Sequence, residues 1–421
     1  MYELLKGMRV IEGASFIAGP SCGLHLAQMG AEVIRFDDVR GGPDSRRWPL
    51  SPEGASFYWE GLNKGKKSIA IDLSRAEGRE LAIRLATAPG ANSGFFLTNY
   101  PAAGFLSHER LSALRQDLIT LRVMGWADER PAVDYTVNSA IGIPFMTGPP
   151  GETRPVNHVL PAWDLITGAY AAFALLAADR ERTKTGKGCE IRVPLGDLAI
   201  ATLGHLGQIA EVTAAGVDRP RMGNELFGAF GRDFVTADGN RIMLVAITKR
   251  QWTGLIAALG LENEIAALEK EAGVSFLDDE GARFRHKDRL MPIVENALGA
   301  LRRTEIAARF DEHGVCWDDY RTLKQALAED PRLSAQNPIL QPVLHPSGHE
   351  YLTPGAAASI PSNERLPPLR APRLGEHTDQ ILTEVLHLNE REIGELHDRG
   401  LVAAATGGPA PTNGSHLSEK A

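Results

Sequence analysis

The first forty residues read as strand, turn, helix, strand, and that order commits the chain to a parallel βαβ unit. Residues 9–11 are apolar enough for a buried strand, 13–19 are small and glycine-rich, 20–29 have helical spacing, and 31–36 form a second strand. Pro20 suits a first helical turn, where its missing N–H costs nothing, and Gly30 suits the left-handed residue that ends a helix. Two parallel strands cannot be joined by a hairpin, so the crossover must cover one face of the sheet. Apolar strands at 68–72, 94–98, 117–123 and 190–193 alternate with helical patterns such as 76–87. This alternation predicts an α/β class, doubly wound, Rossmann-like large domain.

Residues 131–161 are rich in Pro and Gly and read as a long ordered loop. The helix that follows, from 161 through 178, is apolar on every side and is expected to be buried all round. A further apolar helix is expected over 197–211. Residues 234–246 read as two short strands around Asp238-Gly239, a hairpin signal, followed by charged amphipathic helix to about 330. The expected organisation is residues 1–224 as the first part of the large α/β domain and 225–330 as a smaller α+β domain. Residues 331–401 form a Pro-rich linker and a helical return to the large domain, and 402–421 a disordered tail.

The 421 residues include 45 Lys and Arg against 53 Asp and Glu, a net charge of −8, which gives no electrostatic footprint for nucleic acid. Any anionic ligand must therefore be held by local groups. Cys22, Cys189 and Cys316 lie far apart without metal-ligand spacing, and the histidines form no metal motif. No metal site is expected. The longest uncharged apolar stretch, 165–178, is too short to span a bilayer, and the start has no basic region before an apolar core. A cytoplasmic protein that does not engage a membrane is expected.

Asp164 is the foremost candidate for chemistry. It lies in the first turn of an otherwise uncharged helix, where N–H groups and the helix dipole are expected to keep a desolvated carboxylate ionised. Such a carboxylate is a competent nucleophile toward an acyl carbon, although acids are also common as simple helix caps. Gly19-Pro-Ser21-Cys-Gly23 matches the G-x-S-x-G elbow of serine hydrolases, which makes a thioesterase using Ser21 a rival. Asp37 at the end of the second strand admits a dinucleotide site, but Gly13, Gly19 and Gly23 lack the required spacing. Lys64, Lys66 and Lys67, with Arg46 and Arg47, are candidates for an anionic group, each weighed against an ordinary surface role. Gly228 and Gly231 permit a hinge loop over a site, or a plain linker.

Five segments in this order resemble the class III CoA-transferases: residues 5–11 with Ala18-Gly-Pro20, 62–72, 98–100, the aspartate before a small-residue helix, and 184–188. The resemblance runs over about residues 5–400. Within that family, 156–164, 218–221, 227–234 and 371–379 are similar to a branch that moves CoA between two carboxyls of one acid. The resemblance implies Asp164 as the acyl-accepting nucleophile, Ile17, Ala18, Ile71, Asp72, Leu73, Asn99, Tyr100 and Tyr135 along the CoA site, and Tyr58 near the acyl group. It implies that the loop at Gly228 and Gly231 shields intermediates, and that the partner is a second copy of the chain in an interlocked homodimer. The CoA thioester is then the substrate, with no cofactor. An intermolecular transferase and a non-catalytic CoA-binding protein remain the alternatives. Many members have glycine where this chain has Trp163, glutamine where it has Ile17, and basic residues near the CoA phosphates where it has Asp38 and Val133. The resemblance therefore implies a reshaped acyl pocket and leaves the phosphate contacts open.

Overall fold

The computed structural model describes residues 1–405. In chain order its strands are β1 Arg9–Gly13, β2 Glu32–Asp37, β3 Lys67–Ile71, β4 Phe95–Thr98, β5 Ile119–Met124, β6 Cys189–Pro194, β7 Phe230–Val235, β8 Arg241–Ala246, β9 Cys316–Asp319, β10 Leu340–Leu344, β11 Glu350–Pro354 and β12 Val402–Ala403. The chain divides into two compact units. One comprises Met1–Ile141, Val159–Ile209 and the chain from Pro331 on; the other comprises Gly142–His158 and Ala210–Asp330. The second unit thus contains the expected 225–330 and also 142–158 and 210–224.

The first unit is built on a seven-stranded sheet in the order β12-β3-β2-β1-β4-β5-β6. All neighbours are parallel except β12, which runs antiparallel to β3. This is the mixed α/β architecture that the strand-helix alternation predicts. The apolar runs are continuous because parallel strands bury both faces: Ile11, Ile34, Phe36, Ile69, Ile71 and Phe96 all lie in one core. β1 sits centrally, with β2 on one side and β4 on the other, so the strand order reverses at its carboxyl end. In open parallel sheets that reversal opens a crevice able to take a ligand.

The Ala18–Gln28 helix and the long Ala162–Thr185 helix pack closely because glycine allows it. A Cβ on Gly168 would lie 1.9 Å from Ser21 Oγ and 2.9 Å from the Ala18 carbonyl. Contrary to expectation, the long helix is not covered on all sides. Trp163, Thr167, Ala171 and Leu175 are buried, whereas Ile166, Tyr170 and Phe173 stay exposed, Phe173 by 64%. A single chain supplies only enough neighbours for one face. None of the helices described is long and apolar enough to cross a membrane.

Further segments differ from expectation: β9 interrupts the stretch expected to be helix to about 330, and the helix expected over 197–211 divides into Leu195–His205 and Gln208–Ala215. The 131–161 stretch holds two short helices, Asp134–Ala140 and Ile143–Met146. The 331–375 stretch contains the β10-β11 hairpin. Val402 and Ala403, expected in a disordered tail, pair with Ile71 and Ala70; apolar residues beside an open edge gain ladder hydrogen bonds there. The rest of that expected tail, from 406, lies outside the described residues.

The second unit has its own core, with the antiparallel β7-β8-β9 sheet packed on helices through Phe230, Phe234, Leu244, Trp252 and Phe310. The hairpin turns at Asp238-Gly239 as predicted, with Gly239 at φ +78°.

A charged cluster is sealed into the first unit. Arg35 meets Asp37 through two hydrogen bonds of 2.8 Å, Asp44 at 2.9 Å and Glu12 at 3.5 Å. Lys66 meets Glu12 at 2.8 Å and the Pro20 carbonyl at 2.8 Å. Removing one partner of a buried pair strands the other charge. Lys66→Met is therefore expected to cost about 3 to 5 kcal/mol, read as a lower midpoint at unchanged slope in urea unfolding.

Candidate active site

At the carboxyl ends of β1, β2 and β4 a cavity of about 350 Å³ is lined by Ala14, Ser15, Phe36, Asp37, Asp38, Arg40, Gly41, Gly42, Pro43 and Tyr100. It lies at the sheet's switch point. Its wall is braced by Asn99, whose amide accepts from the Ser15 N–H at 3.2 Å and donates to the Ser15 carbonyl at 3.0 Å. Tyr100 stacks on Phe36 at 6.4 Å, and burial raises its hydroxyl pKa. Arg40 reaches Asp38 at 2.8 Å at the rim.

The turn after β1 is unusual at Phe16, whose φ of +70° is a conformation few side chains tolerate. Its N–H donates to both oxygens of Asp44, at 2.9 and 3.0 Å, and Asp44 is held in turn by Arg35. The buried cluster therefore fixes the loop that leads into the Ala18–Gln28 helix. Ile17 precedes that helix and Ala18 opens it.

Asp164 occupies the first turn of the long helix and is half-buried. The helix does not cap itself with this carboxylate. Instead the buried carboxylate of Asp134 accepts the N–H groups of Trp163 at 2.7 Å and Asp164 at 3.2 Å. The expectation that helix N–H groups hold Asp164 ionised is thus overturned: those donors are committed to another acid. Burial, reinforced by the nearby Asp134 charge and opposed by Arg47, pushes the Asp164 carboxyl up to about 7. Near neutrality it is divided between acid and carboxylate, a poise typical of residues that do chemistry. Trp163, beside it, is buried and donates through Nε1 to Asn138 at 3.0 Å, which fills the space toward the Asp134–Ala140 helix.

Tyr58 lies within electrostatic reach of Asp164 and Asp44, and burial raises its pKa. Its hydroxyl is buried with no hydrogen-bond partner, as is that of Thr167, one turn along the helix from Asp164. An orphaned buried hydroxyl is costly and calls for a specific cause, such as strain, a catalytic role, or a water or ion that supplies the partner.

Other sequence candidates resolve differently. Ser21 is buried inside a helix and donates to the Ala18 carbonyl at 3.1 Å, against Gly168. It has neither exposure nor a base, so the hydrolase elbow is excluded. Lys66 belongs to the core cluster, Lys67 pairs with Glu32 at 2.8 Å, and Lys64 donates to the Gly61 carbonyl at 2.7 Å. These lysines stabilise the fold. Asp37 is committed to Arg35, which removes it as a ribose ligand. The Ile71 side chain is fully buried, leaving only its backbone for a ligand; Asp72 and Leu73 follow it at the end of β3, where Asp72 accepts from the Ser74 N–H at 3.0 Å. Tyr135 is exposed on the Asp134–Ala140 helix, and its hydroxyl donates to the Val159 carbonyl at 3.3 Å.

Gly228 and Gly231 belong to the second unit. Gly228 has φ +80° in a turn, a backbone shape that suits glycine. Gly231 is not in a loop: it lies in β7, where a Cβ would meet Val245 Cγ1 at 2.5 Å. Close strand packing explains it without any hinge.

The model for CoA-transferase family III matches residues 5–378. The chain belongs to that family. It is an enzyme of the CoA-transferase class. It is 48% identical over 404 residues to 2-methylfumaryl-CoA isomerase of Chloroflexus aurantiacus, covering 96% of this chain and 98% of that one. Human succinyl-CoA:glutarate CoA-transferase is 27% identical, over 94% of this chain and 90% of that protein. Among solved structures, a CAIB/BAIF family protein from Brucella suis superposes with a TM-score of 0.73 at 26% identity, covering 91% of this chain and all of that one.

Asp134, Asp44 and Phe16 escaped sequence reasoning. Nothing in the sequence marks an acid on one helix as the cap of another, or a phenylalanine as left-handed. The poise of Asp164 has a measurable sign. Because burial raises the Asp164 pKa, a reaction step that uses its carboxylate should make kcat/KM of the free enzyme fall as pH drops below about 7 and level off above it. Asp164→Asn should abolish acyl-CoA turnover, while Ser21→Ala should leave it unchanged.

Proposed function

We propose that the enzyme converts 2-methylfumaryl-CoA (mesaconyl-C1-CoA) into 3-methylfumaryl-CoA (mesaconyl-C4-CoA) by intramolecular CoA transfer. The observation that supports this most is a half-buried Asp164 carboxyl poised near neutrality beside an unpartnered buried hydroxyl, in a chain 48% identical to a protein with that activity.

In the proposed mechanism an Asp164 oxygen attacks the C1 thioester carbonyl, the C–S bond breaks, and CoA thiolate leaves an aspartyl–mesaconyl anhydride. The thiolate attacks the aspartyl carbonyl of the anhydride; the C–O bond breaks, giving an Asp164–CoA thioester and free mesaconate. Mesaconate turns and attacks that thioester through its C4 carboxylate, again releasing thiolate. The thiolate then takes the C4 acyl carbon, and Asp164 returns as carboxylate. One thioester replaces another, so the sequence asks for no redox cofactor or metal and no net proton. The nucleophile must be charged at the first step, and Arg47 favours that form.

The thioester arm of CoA is taken to run past Ile17 and Ala18, along the ends of β3 and β4 at Ile71, Asp72, Leu73, Asn99 and Tyr100, and near Tyr135. Tyr58 would meet the acyl group with the hydroxyl that lacks a partner. Retaining mesaconate makes the second half-reaction unimolecular, with an effective concentration that can reach ~10⁵ M. Water must be kept from the anhydride. The proposed assembly is an interlocked homodimer, favoured by the exposed stripe at Ile166, Tyr170 and Phe173, which a second chain would cover.

Incubation of substrate with isotopically labelled free mesaconate tests the intramolecular step. Conversion without label in the product is expected; rapid incorporation would identify an intermolecular transferase. Sedimentation should give a dimer that persists on dilution, and its unfolding midpoint should rise with protein concentration.

A further inference from the structure

We infer that Arg47 is a specificity-determining residue that binds the carboxylate of the acyl group not bonded to CoA, selecting dicarboxylic over monocarboxylic thioesters. This inference rests on the reading of Asp164 as nucleophile and extends it to the substrate's far end.

The Arg47 backbone is fixed from two sides. Its carbonyl accepts from the buried Ser56 hydroxyl at 2.6 Å, and its N–H donates to the Asp44 carbonyl at 3.3 Å. The side chain is clasped rather than paired: its guanidinium lies 5.0 Å from the Phe16 ring centre and 5.3 Å from that of Tyr58. It makes no ion pair with any described residue, whereas neighbouring Arg35 and Arg40 are both engaged by acids. Cation–π contact with two rings restrains this exposed guanidinium, and its five N–H donors are not taken up by an ion pair with a described residue. The planar guanidinium fork matches a carboxylate bidentately.

The clasp is itself held in place. Phe16 keeps its left-handed backbone because Asp44 accepts its N–H, and Asp44 is anchored by Arg35 in the core. Arg47 is also the cation whose charge Asp164 feels. A cation, a donor hydroxyl without a partner on Tyr58 and a carboxylate nucleophile therefore share one site. An acyl chain with its thioester carbonyl at Asp164 and a second carboxylate would find its countercharge at Arg47. After CoA moves to Asp164, the freed acid has two carboxylates. A single cation can hold either one, so turning the acid end for end presents the other to the thioester.

The test compares wild type with Arg47→Met and Arg47→Lys at about pH 9, where the Asp164 carboxyl is ionised in each. Two substrates are used: mesaconyl-C1-CoA, and crotonyl-CoA, which lacks the second carboxylate. Formation of the Asp164–CoA adduct is followed by mass in single turnovers, alongside steady-state isomerisation. Arg47→Met should slow adduct formation from mesaconyl-CoA by about 10- to 100-fold, the factor for losing one charge-assisted contact, and leave crotonyl-CoA nearly unchanged. Arg47→Lys should recover part of the loss. Equal losses on both substrates would overturn the inference, assigning Arg47 a structural role while isomerisation by wild type stands. If wild type transfers CoA but does not isomerise, the proposed reaction falls; selective loss on the dicarboxylic substrate would still uphold Arg47.

Discussion

Arg35 is the interaction on which the rest of the first unit depends. It gathers Glu12 at β1, Asp37 at the end of β2 and Asp44 in the following loop around one buried guanidinium. Buried charges are tolerated when every lone pair and proton finds a partner, and Lys66 and Asn63 complete the set here. Such a cluster contributes little net stability compared with apolar packing. What it contributes is position: two loops at the switch point of the sheet can close in only one way. The left-handed Phe16 is sustained by that closure, and with it the ring that clasps Arg47.

The same logic explains why the Asp164 carboxyl is poised near neutrality. A carboxylate that capped its own helix would be stabilised as an anion by the helix N–H groups. Here the cap comes from Asp134, so the helix donors are satisfied without engaging Asp164. Asp164 is left with partial burial and a like charge nearby, and both raise its proton affinity. Capping thus falls to Asp134, and the Asp164 carboxyl is left uncommitted to the helix N–H groups.

Much of this was legible in the chain. The positions of β1 to β6, the parallel order among them and the hairpin at Asp238 follow from periodicity and turn chemistry, which are local. Asp164 stood out because an isolated acid in an apolar helix is conspicuous. What could not be read was relational. Ser21 matched a hydrolase motif, but its burial depends on Gly168, far along the chain. Lys66 resembled an anion ligand until Glu12 was placed beside it. Gly231 looked like a hinge because its reason for being glycine, Val245 across the sheet, is invisible in one dimension. The uniform apolarity of the long helix predicted burial all round, but the chain covers one face and leaves Ile166, Tyr170 and Phe173 exposed.

The antiparallel pairing of β12 with β3 has a consequence for how the molecule is made. The large sheet gains its last strand from residues at the far end of the chain, while the second unit is completed by Asp330. During synthesis, the smaller unit can therefore finish folding while the larger still presents an open edge at β3. Domains commonly fold in the order they emerge, and unpaired strand edges are where nascent chains associate wrongly. For this chain the edge is covered only once Val402 has been made, 72 positions after Asp330, so the ribosome's pace between those two residues sets how long that edge stays at risk.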